Sequence, residues 1–132
     1  MQGAVIGAST GNAMENEMEA VLKPFVEAGY APNEFYYFAE SVLLPSFRGQ
    51  GIGKEFMQAR LAKAKQQNKK YAAFCSVIRA GHTPPVNYNS PEHLWQKIGF
   101  KKHPELLSYF SWKDIGNEFE TKKPLVYWIK EL

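Results

Sequence analysis

The stretch SFRGQGIGKEF, residues 46–56, sets glycine at every second position, Gly49, Gly51 and Gly53, between an aromatic, branched run and an amphipathic one. The preceding run, FYYFAESVLL at 35–44, is bounded by Pro32-Asn33 and Pro45 and reads as a strand. The following one, 54–67, puts Phe56, Met57, Leu61 and Ala64 on one helical face. A glycine-rich turn from strand to helix lets backbone N–H groups approach an anion that side chains would keep away, and the helix N-terminus favours negative charge. A tight connection by itself would require only one or two of the three glycines. A Walker loop fails twice, with Arg48 where its first glycine belongs and Glu55 where a Ser or Thr should follow the lysine. A dinucleotide fingerprint starting at Gly49 would need its third glycine at Lys54. The stretch therefore asks for a phosphate held in some other frame.

Elsewhere the chain alternates short strands and helices. Ala4–Ala8 reads as a strand. Met14, Met18, Val21, Leu22, Phe25 and Val26 follow helical spacing, with Glu15, Glu19 and Lys23 opposite, Gly29 as a stop and Pro24 expected to kink or divide the helix. Tyr71–Ile78 is a further strand, 79–90 a loop, 91–98 a short helix ended by Gly99, and 106–112 and 124–131 two aromatic-rich strands. With 45% apolar and 14% aromatic residues and no repeat or linker, residues 1–132 are expected to form a single domain.

Charge and cysteine content exclude several classes. A net charge of +3, dispersed over Lys69-Lys70, Lys101-Lys102 and Lys122-Lys123, suits solvated faces and lacks the clustered patch of a nucleic-acid binder. The single Cys75 forms no intrachain disulfide, and with no basic leader and no long apolar run the expectation is a cytoplasmic protein without membrane attachment. His93 and His103 lack metal-ligand spacing and are read as surface or loop residues, so no metal is expected. Cys75 with His82 could suggest a thiol hydrolase, but nothing around Cys75 activates it, and a small buried cysteine is the simpler reading.

LLPSFRGQGIG, with Arg48-x-x-Gly51-x-Gly53 separated from Pro45 by two residues, resembles the pyrophosphate-binding signature of the GNAT-type N-acetyltransferases. LWQKIGF, residues 94–100, resembles a second motif of that family and follows in the correct order. Together they span roughly residues 35–112. The resemblance implies an α/β (α+β) GNAT-like fold, a mixed, mostly antiparallel sheet flanked by helices, and acetyl-CoA as cosubstrate. Backbone amides from Gly49 through Gln50, Gly51, Ile52 and Gly53 to Lys54, with Arg48 beside them, would hold the pyrophosphate. Val42, Leu43 and Leu44 would pair with the pantetheine arm where this strand splays from 71–78.

Acetyl transfer to an amine needs a neutral nucleophile, a stabilised oxyanion and a proton for the leaving thiolate. Glu40, the one carboxylate of strand 35–44, is the first candidate for the base, directly or through a water; an edge carboxylate in solvent is the plain alternative. Tyr37 stands where some family members carry their base, and with an ordinary pKa of about 10 it suits positioning the amine better; a core aromatic is its alternative. The amide of Leu43 would receive the oxyanion. Where the family most often has an acidic tyrosine, this chain has Trp95, whose indole N–H is no usable acid. Water or Ser76 would then supply the proton, or Trp95 packs against coenzyme A in a binding module without turnover.

Ala4–Ala8 corresponds to the third strand of the family's fold, which implies an N-terminally truncated version without the usual acceptor walls. The acceptor is expected to be a small-molecule or peptide amine. An exposed first strand and the apolar face at 14–26 imply a homodimer.

Overall fold

A computed structural model describes residues 7–43, 51–78, 92–112 and 119–132, with the side chains of 40–43 and 112 outside that description. The described residues form β1 (Gly7–Ala13), α1 (Glu19–Glu27), β2 (Phe35–Leu43), α2 (Ile52–Gln66), β3 (Tyr71–Val77), α3 (Glu92–Ile98), β4 (Lys101–Trp112) and β5 (Thr121–Glu131). The five strands make one sheet in the order β1-β2-β3-β5-β4. Only β2 and β3 run parallel; the other three pairings are antiparallel. This is the mixed, mostly antiparallel sheet flanked by helices that the resemblance implied.

Strand alternation divides the core between the two faces of the sheet. Phe35 and Tyr37 of β2, Ala73 of β3 and Tyr127 and Ile129 of β5 point to one face, where Met14, Val21 and Phe25 cover them. Tyr36, Phe38, Ala72, Phe74 and Trp128 point to the other, beneath Met57, Leu61 and Ala64 of α2 and Trp95 and Ile98 of α3. Phe25 packs edge-on against both Phe35 and Tyr127, with ring centroids 5.1 and 4.8 Å apart. The left-handed φ of +116° at Gly99 closes α3 and turns Phe100 into the second cluster, its N–H bonded to the Trp95 carbonyl.

Several expected boundaries are corrected. The first strand is Gly7–Ala13; residues 1–6 lie outside the description, so only Gly7 and Ala8 of the expected Ala4–Ala8 can be compared. The segment GASTGNA carries a single branched residue, Thr10, among small and polar ones, which is why its sequence hides it. The helix expected from residue 14 onward, with its break at Pro24, is instead a 3-10 turn, Met14–Asn16, followed by α1, and the break falls at Glu17–Met18. Glu17 and Met18 between them are extended, and this break rotates the apolar stripe so that Met18 and Val26 are exposed while Val21 and Phe25 are buried. β4 begins at Lys101, before the expected 106, with an irregular register between His103 and Leu107 where Pro104 stands on the edge strand. His103 is therefore a strand residue, its Nδ1 2.9 Å from Glu105 Oε1. Lys123 is buried rather than solvated, its Nζ donating to the Thr121 carbonyl and hydroxyl.

Pro24 does not divide α1. Lacking an N–H, it leaves the Ala20 carbonyl without its helical donor, and the Ser108 hydroxyl of β4 donates to that carbonyl instead at 2.6 Å. With its hydrogen so committed, Ser108 Oγ accepts from the Tyr127 hydroxyl 2.9 Å away. One buried serine thus completes a helix on one side and a core tyrosine on the other. Ser108→Ala should cost about 1–3 kcal/mol by leaving both groups unsatisfied, measured by urea unfolding. In a Pro24→Ala background the residue-24 N–H can bond Ala20, and the same change should cost less; equal costs in the two backgrounds would show that Ser108 does not substitute for the missing donor.

Candidate coenzyme site

β2 and β3 are paired over only three positions, Phe35–Tyr37 against Tyr71–Ala73. β1 stays in register with β2 to Gly7↔Leu43, and β3 stays with β5 to Val77↔Leu125. The sheet therefore opens into a two-stranded and a three-stranded part. The cause is local to β2: between Ser9↔Ser41 and Gly11↔Phe38 the register slips, so that Ala39 and Glu40 together face Thr10. Such a bulge bends its strand and increases its twist. Beyond Tyr37 and Ala73 the two strands present main-chain edges to a gap, the arrangement that accepts an extended ligand as an added strand.

α2 starts just past the outgoing end of β2. Its N-cap, Gly51, has φ +82°, a left-handed conformation that any side chain would strain. The first helical bond runs from Glu55 N–H to the Gly51 carbonyl, so the amides of Ile52, Gly53 and Lys54 precede the ladder and point out of the helix end. A Cβ on Gly51 or Gly53 would meet nothing within 4 Å among the described residues. Packing does not require either glycine, which leaves bare amides and the positive end of a 15-residue helix free to meet an anion.

At the mouth of the gap, on the face covered by α1, polar groups line up. The Tyr37 hydroxyl lies 3.2 Å from Cys75 Sγ, linking β2 to β3 where their main-chain bonds end. Across β1, Asn12 is the register partner of Tyr37, and its Nδ2 donates to the Ala13 carbonyl and, at 3.2 Å, to Glu17 Oε1. Burial pushes the Tyr37 phenol far above its ordinary range, with Cys75 adding to the effect. Burial likewise raises the Cys75 thiol; the Tyr37 hydrogen bond works against this and the nearby Glu17 carboxylate with it. Tyr127 is also pushed up by burial, opposed by its bond to Ser108. All three side chains are neutral at ordinary pH, and Tyr37 can position a substrate by hydrogen bonding but cannot serve as an ionised base.

The model of the acetyltransferase (GNAT) family matches residues 2–100. The chain belongs to that family. Solved structures similar in fold include a GNAT family acetyltransferase from Elizabethkingia anophelis with acetyl-CoA bound, at 16% identity and a TM-score of 0.62, covering 100% of this chain and 72% of that one. A Bacillus subtilis acetyltransferase in complex with CoA matches at 12% identity and a TM-score of 0.61, again over 100% and 72%. An N-acetyltransferase from Staphylococcus aureus Mu50 matches at 16% identity and a TM-score of 0.62, over 99% of this chain and 63% of that one. A search of curated proteins returns no match. At these identities the structures speak for the fold, and the described part of this GNAT chain contains the parted strands and the glycine-capped helix together.

The residues singled out in the sequence fall into three groups. Gly51, Ile52, Gly53 and Lys54 form the N-cap and first turn of α2, the helix that follows β2 in the chain. Glu40, Val42 and Leu43 lie on β2 past its last pairing with β3, Glu40 within the bulge; their side chains, and the whole of Leu44, Arg48, Gly49 and Gln50, lie outside the described residues, as does His82. Trp95 is on α3, packed edge-on against Phe74 and Trp128 at 4.7 and 5.1 Å, and Ser76 Oγ accepts from Trp128 Nε1. Trp95 is held in that cluster, whereas Ser76, which accepts this bond, keeps its own hydroxyl proton to donate. Asn12 and Glu17 were missed: small residues hid β1, and an apparently unbroken helix absorbed Glu17. Among the described residues no group of His, Cys, Asp and Glu could hold a metal, and no helix is long and apolar enough to cross a membrane.

Cys75 should alkylate with iodoacetamide about tenfold or more slowly in the native protein than in urea, because its thiolate is suppressed. Glu17→Gln should speed the native reaction by removing a negative charge that opposes ionisation. A native rate equal to the unfolded one would contradict the burial of this thiol.

Proposed function

We propose that this GNAT domain, a single unit over residues 1–132, transfers the acetyl group of acetyl-CoA to a primary amine by direct attack on the thioester. The observations that carry the reading are the gap between β2 and β3 and the open amides of α2, the helix that follows β2 in the chain. An extended thioester arm pairing along Val42, Leu43 and Leu44 would end in a pyrophosphate at Gly49–Lys54, with Arg48 and Gln50 in the same turn and Trp95 on the flanking helix. Glu40, within the bulge, is the proposed base, and Tyr37 helps to orient the amine. The amide of Leu43 receives the oxyanion. The thiolate takes its proton from the attacking nitrogen or from water, since Trp95 cannot supply one. The proposed setting is cytoplasmic, the acceptor a small molecule or peptide, and the working form a homodimer, which light scattering at micromolar concentration would show or refute.

Packing of Trp95 between Phe74 and Trp128 favours one second reading, a coenzyme A-binding module without turnover. Following thiol release from acetyl-CoA with a panel of amines separates the two, since a module binds and releases nothing.

Gly53 offers the cleaner test of the cofactor site, because it avoids the positive φ of Gly51 and a Cβ there meets nothing within 4 Å among the described residues. Gly53→Val should leave the thermal midpoint nearly unchanged, since glycine and valine differ by only a few tenths of a kcal/mol in helix propensity. It should weaken acetyl-CoA by roughly tenfold or more in calorimetric titration, about 1.4 kcal/mol. A folded variant that binds as tightly as the parent would move the site away from α2.

Glu40→Gln should lower kcat by about 10²–10⁴-fold, the usual cost of losing a general base, while acetyl-CoA affinity stays near that of the parent. An unchanged kcat across pH would remove Glu40 from the mechanism.

A further inference from the structure

Glu17 is the residue that the reading above leaves without a task. It sits between the 3-10 turn and α1, where its N–H bonds the Met14 carbonyl and its main chain is extended. That break directs it back toward the sheet, where Asn12 Nδ2 holds its Oε1 at 3.2 Å. Asn12 faces Tyr37 across the β1–β2 pair, and Tyr37 reaches Cys75 across the mouth of the gap. Two bonded pairs, Glu17 with Asn12 and Tyr37 with Cys75, thus lie side by side across β1 and β2 at the point where β2 and β3 part.

Two features of these pairs suit a cationic ligand. No lysine or arginine among the described residues pairs with Glu17; the nearby Lys69 is engaged by Glu15 at 3.7 Å and by the Asn33 carbonyl at 2.9 Å. The Asn12 Oδ1, which is buried, has no hydrogen-bond partner among the described residues, although its Nδ2 has two. A carboxylate without a counter-ion and an acceptor oxygen without a donor are complementary to a group that carries positive charge and several N–H bonds. Tyr37, Cys75 and Tyr127, whose pKa values burial raises, are neutral and do not compete for it.

We infer that Glu17, supported by Asn12, is the docking carboxylate for the acceptor, which is therefore a cationic primary amine that arrives as an ammonium ion. The inference rests on the acetyl-transfer reading. Glu17 holds the incoming ammonium at the mouth of the gap, and one of its protons passes to Glu40 and on to solvent. The freed nitrogen forms a bond to the thioester carbonyl carbon, the carbon–sulfur bond breaks, and the thiolate takes the proton that the nitrogen sheds. The products are the amide, free coenzyme A and one released proton. Glu17 binds substrate and transition state alike, so its loss belongs in KM and not in kcat.

The test compares the parent with Glu17→Gln, which keeps the oxygen that Asn12 Nδ2 donates to, using ethylamine and 2,2,2-trifluoroethylamine as probes at neutral pH. The first is almost wholly ammonium under those conditions, and the second is largely neutral at nearly the same size. Calorimetric titration of acetyl-CoA comes first: a parent that fails to bind it refutes the acetyl-transfer reading, independently of Glu17. With binding established, Glu17→Gln should raise KM for ethylamine by roughly tenfold to a hundredfold, the usual loss for one charge-assisted hydrogen bond. It should leave kcat within a factor of about three and KM for trifluoroethylamine unchanged; Glu17→Asp should recover part of the ethylamine KM. Equal losses on both amines, a fall in kcat with KM unchanged, no effect at all, or a parent that binds acetyl-CoA yet acetylates neither amine would overturn the assignment.

Discussion

The three-residue pairing of β2 with β3 is the constraint on which the rest of the molecule depends. A parallel pair usually continues for as long as both strands do, because each unpaired main-chain group left in the interior costs free energy. Here both strands continue and the pairing stops, since the bulge at Ala39–Glu40 turns β2 aside while β1 turns with it. Side chains hold the joint closed. Phe35 stacks on Tyr71 with centroids 4.8 Å apart, Phe38 lies parallel to Phe74 at 6.2 Å on the opposite face, and Tyr37 meets Cys75. The joint is rigid and aromatic where the strands are paired, and open where they are not.

Each face of the sheet reinforces this arrangement differently. On one, α2 spans the β1–β2 part: the Arg60 guanidinium lies 4.4 Å from the Phe38 ring centroid, and burial lowers its proton affinity while nearby Tyr36 opposes the shift. On the other, α1 leans on β4 through the Ser108 bond to Ala20 and on β2 and β5 through Phe25. The helix thus bridges both parts of the sheet, and Ser108 compensates for the donor that Pro24 lacks. A proline that would weaken an isolated helix by about 3 kcal/mol here frees a carbonyl that fastens the helix to a distant strand.

Much of this was legible in the sequence where local chemistry is decisive. The glycine stretch marks the entry to a helix, although α2 starts at Ile52 and not at the expected Lys54, Gly99 marks a helix end, and Phe35–Leu43 is aromatic and branched enough to be recognised as a strand. The expected splay between 35–44 and 71–78 agrees with the pairing that is seen, but it came from resemblance; the bulge behind it depends on register with β1, whose small residues gave no strand signal. Periodicity misled at 14–26, because Met14, Val21 and Phe25 share a core without sharing one helix. Glu17 was hidden for the same reason. The first half of β4 was obscured by KKHPE, and Lys123 looked solvated because its burial depends on how β5 lies against its neighbour. Local patterns locate elements, whereas the spacing between elements decides which polar residues meet.

Those meetings give the gap a polarity. From Tyr37 to Leu43, β2 advances six residues, about 20 Å at roughly 3.3 Å per residue. The element that follows it in the chain, α2, opens with bare amides and a positive pole, and the Glu17 carboxylate lies near enough to Tyr37 to raise its pKa. A ligand with an anionic end and a long amide-bearing arm is drawn in only one direction by that field, with its far end brought toward the carboxylate. A cationic acceptor is drawn to the opposite pole from the phosphate. The proposed reactants would then be kept from exchanging places by charge before any specific contact is made, and the protein's small net positive charge would matter less than where its few uncompensated poles lie.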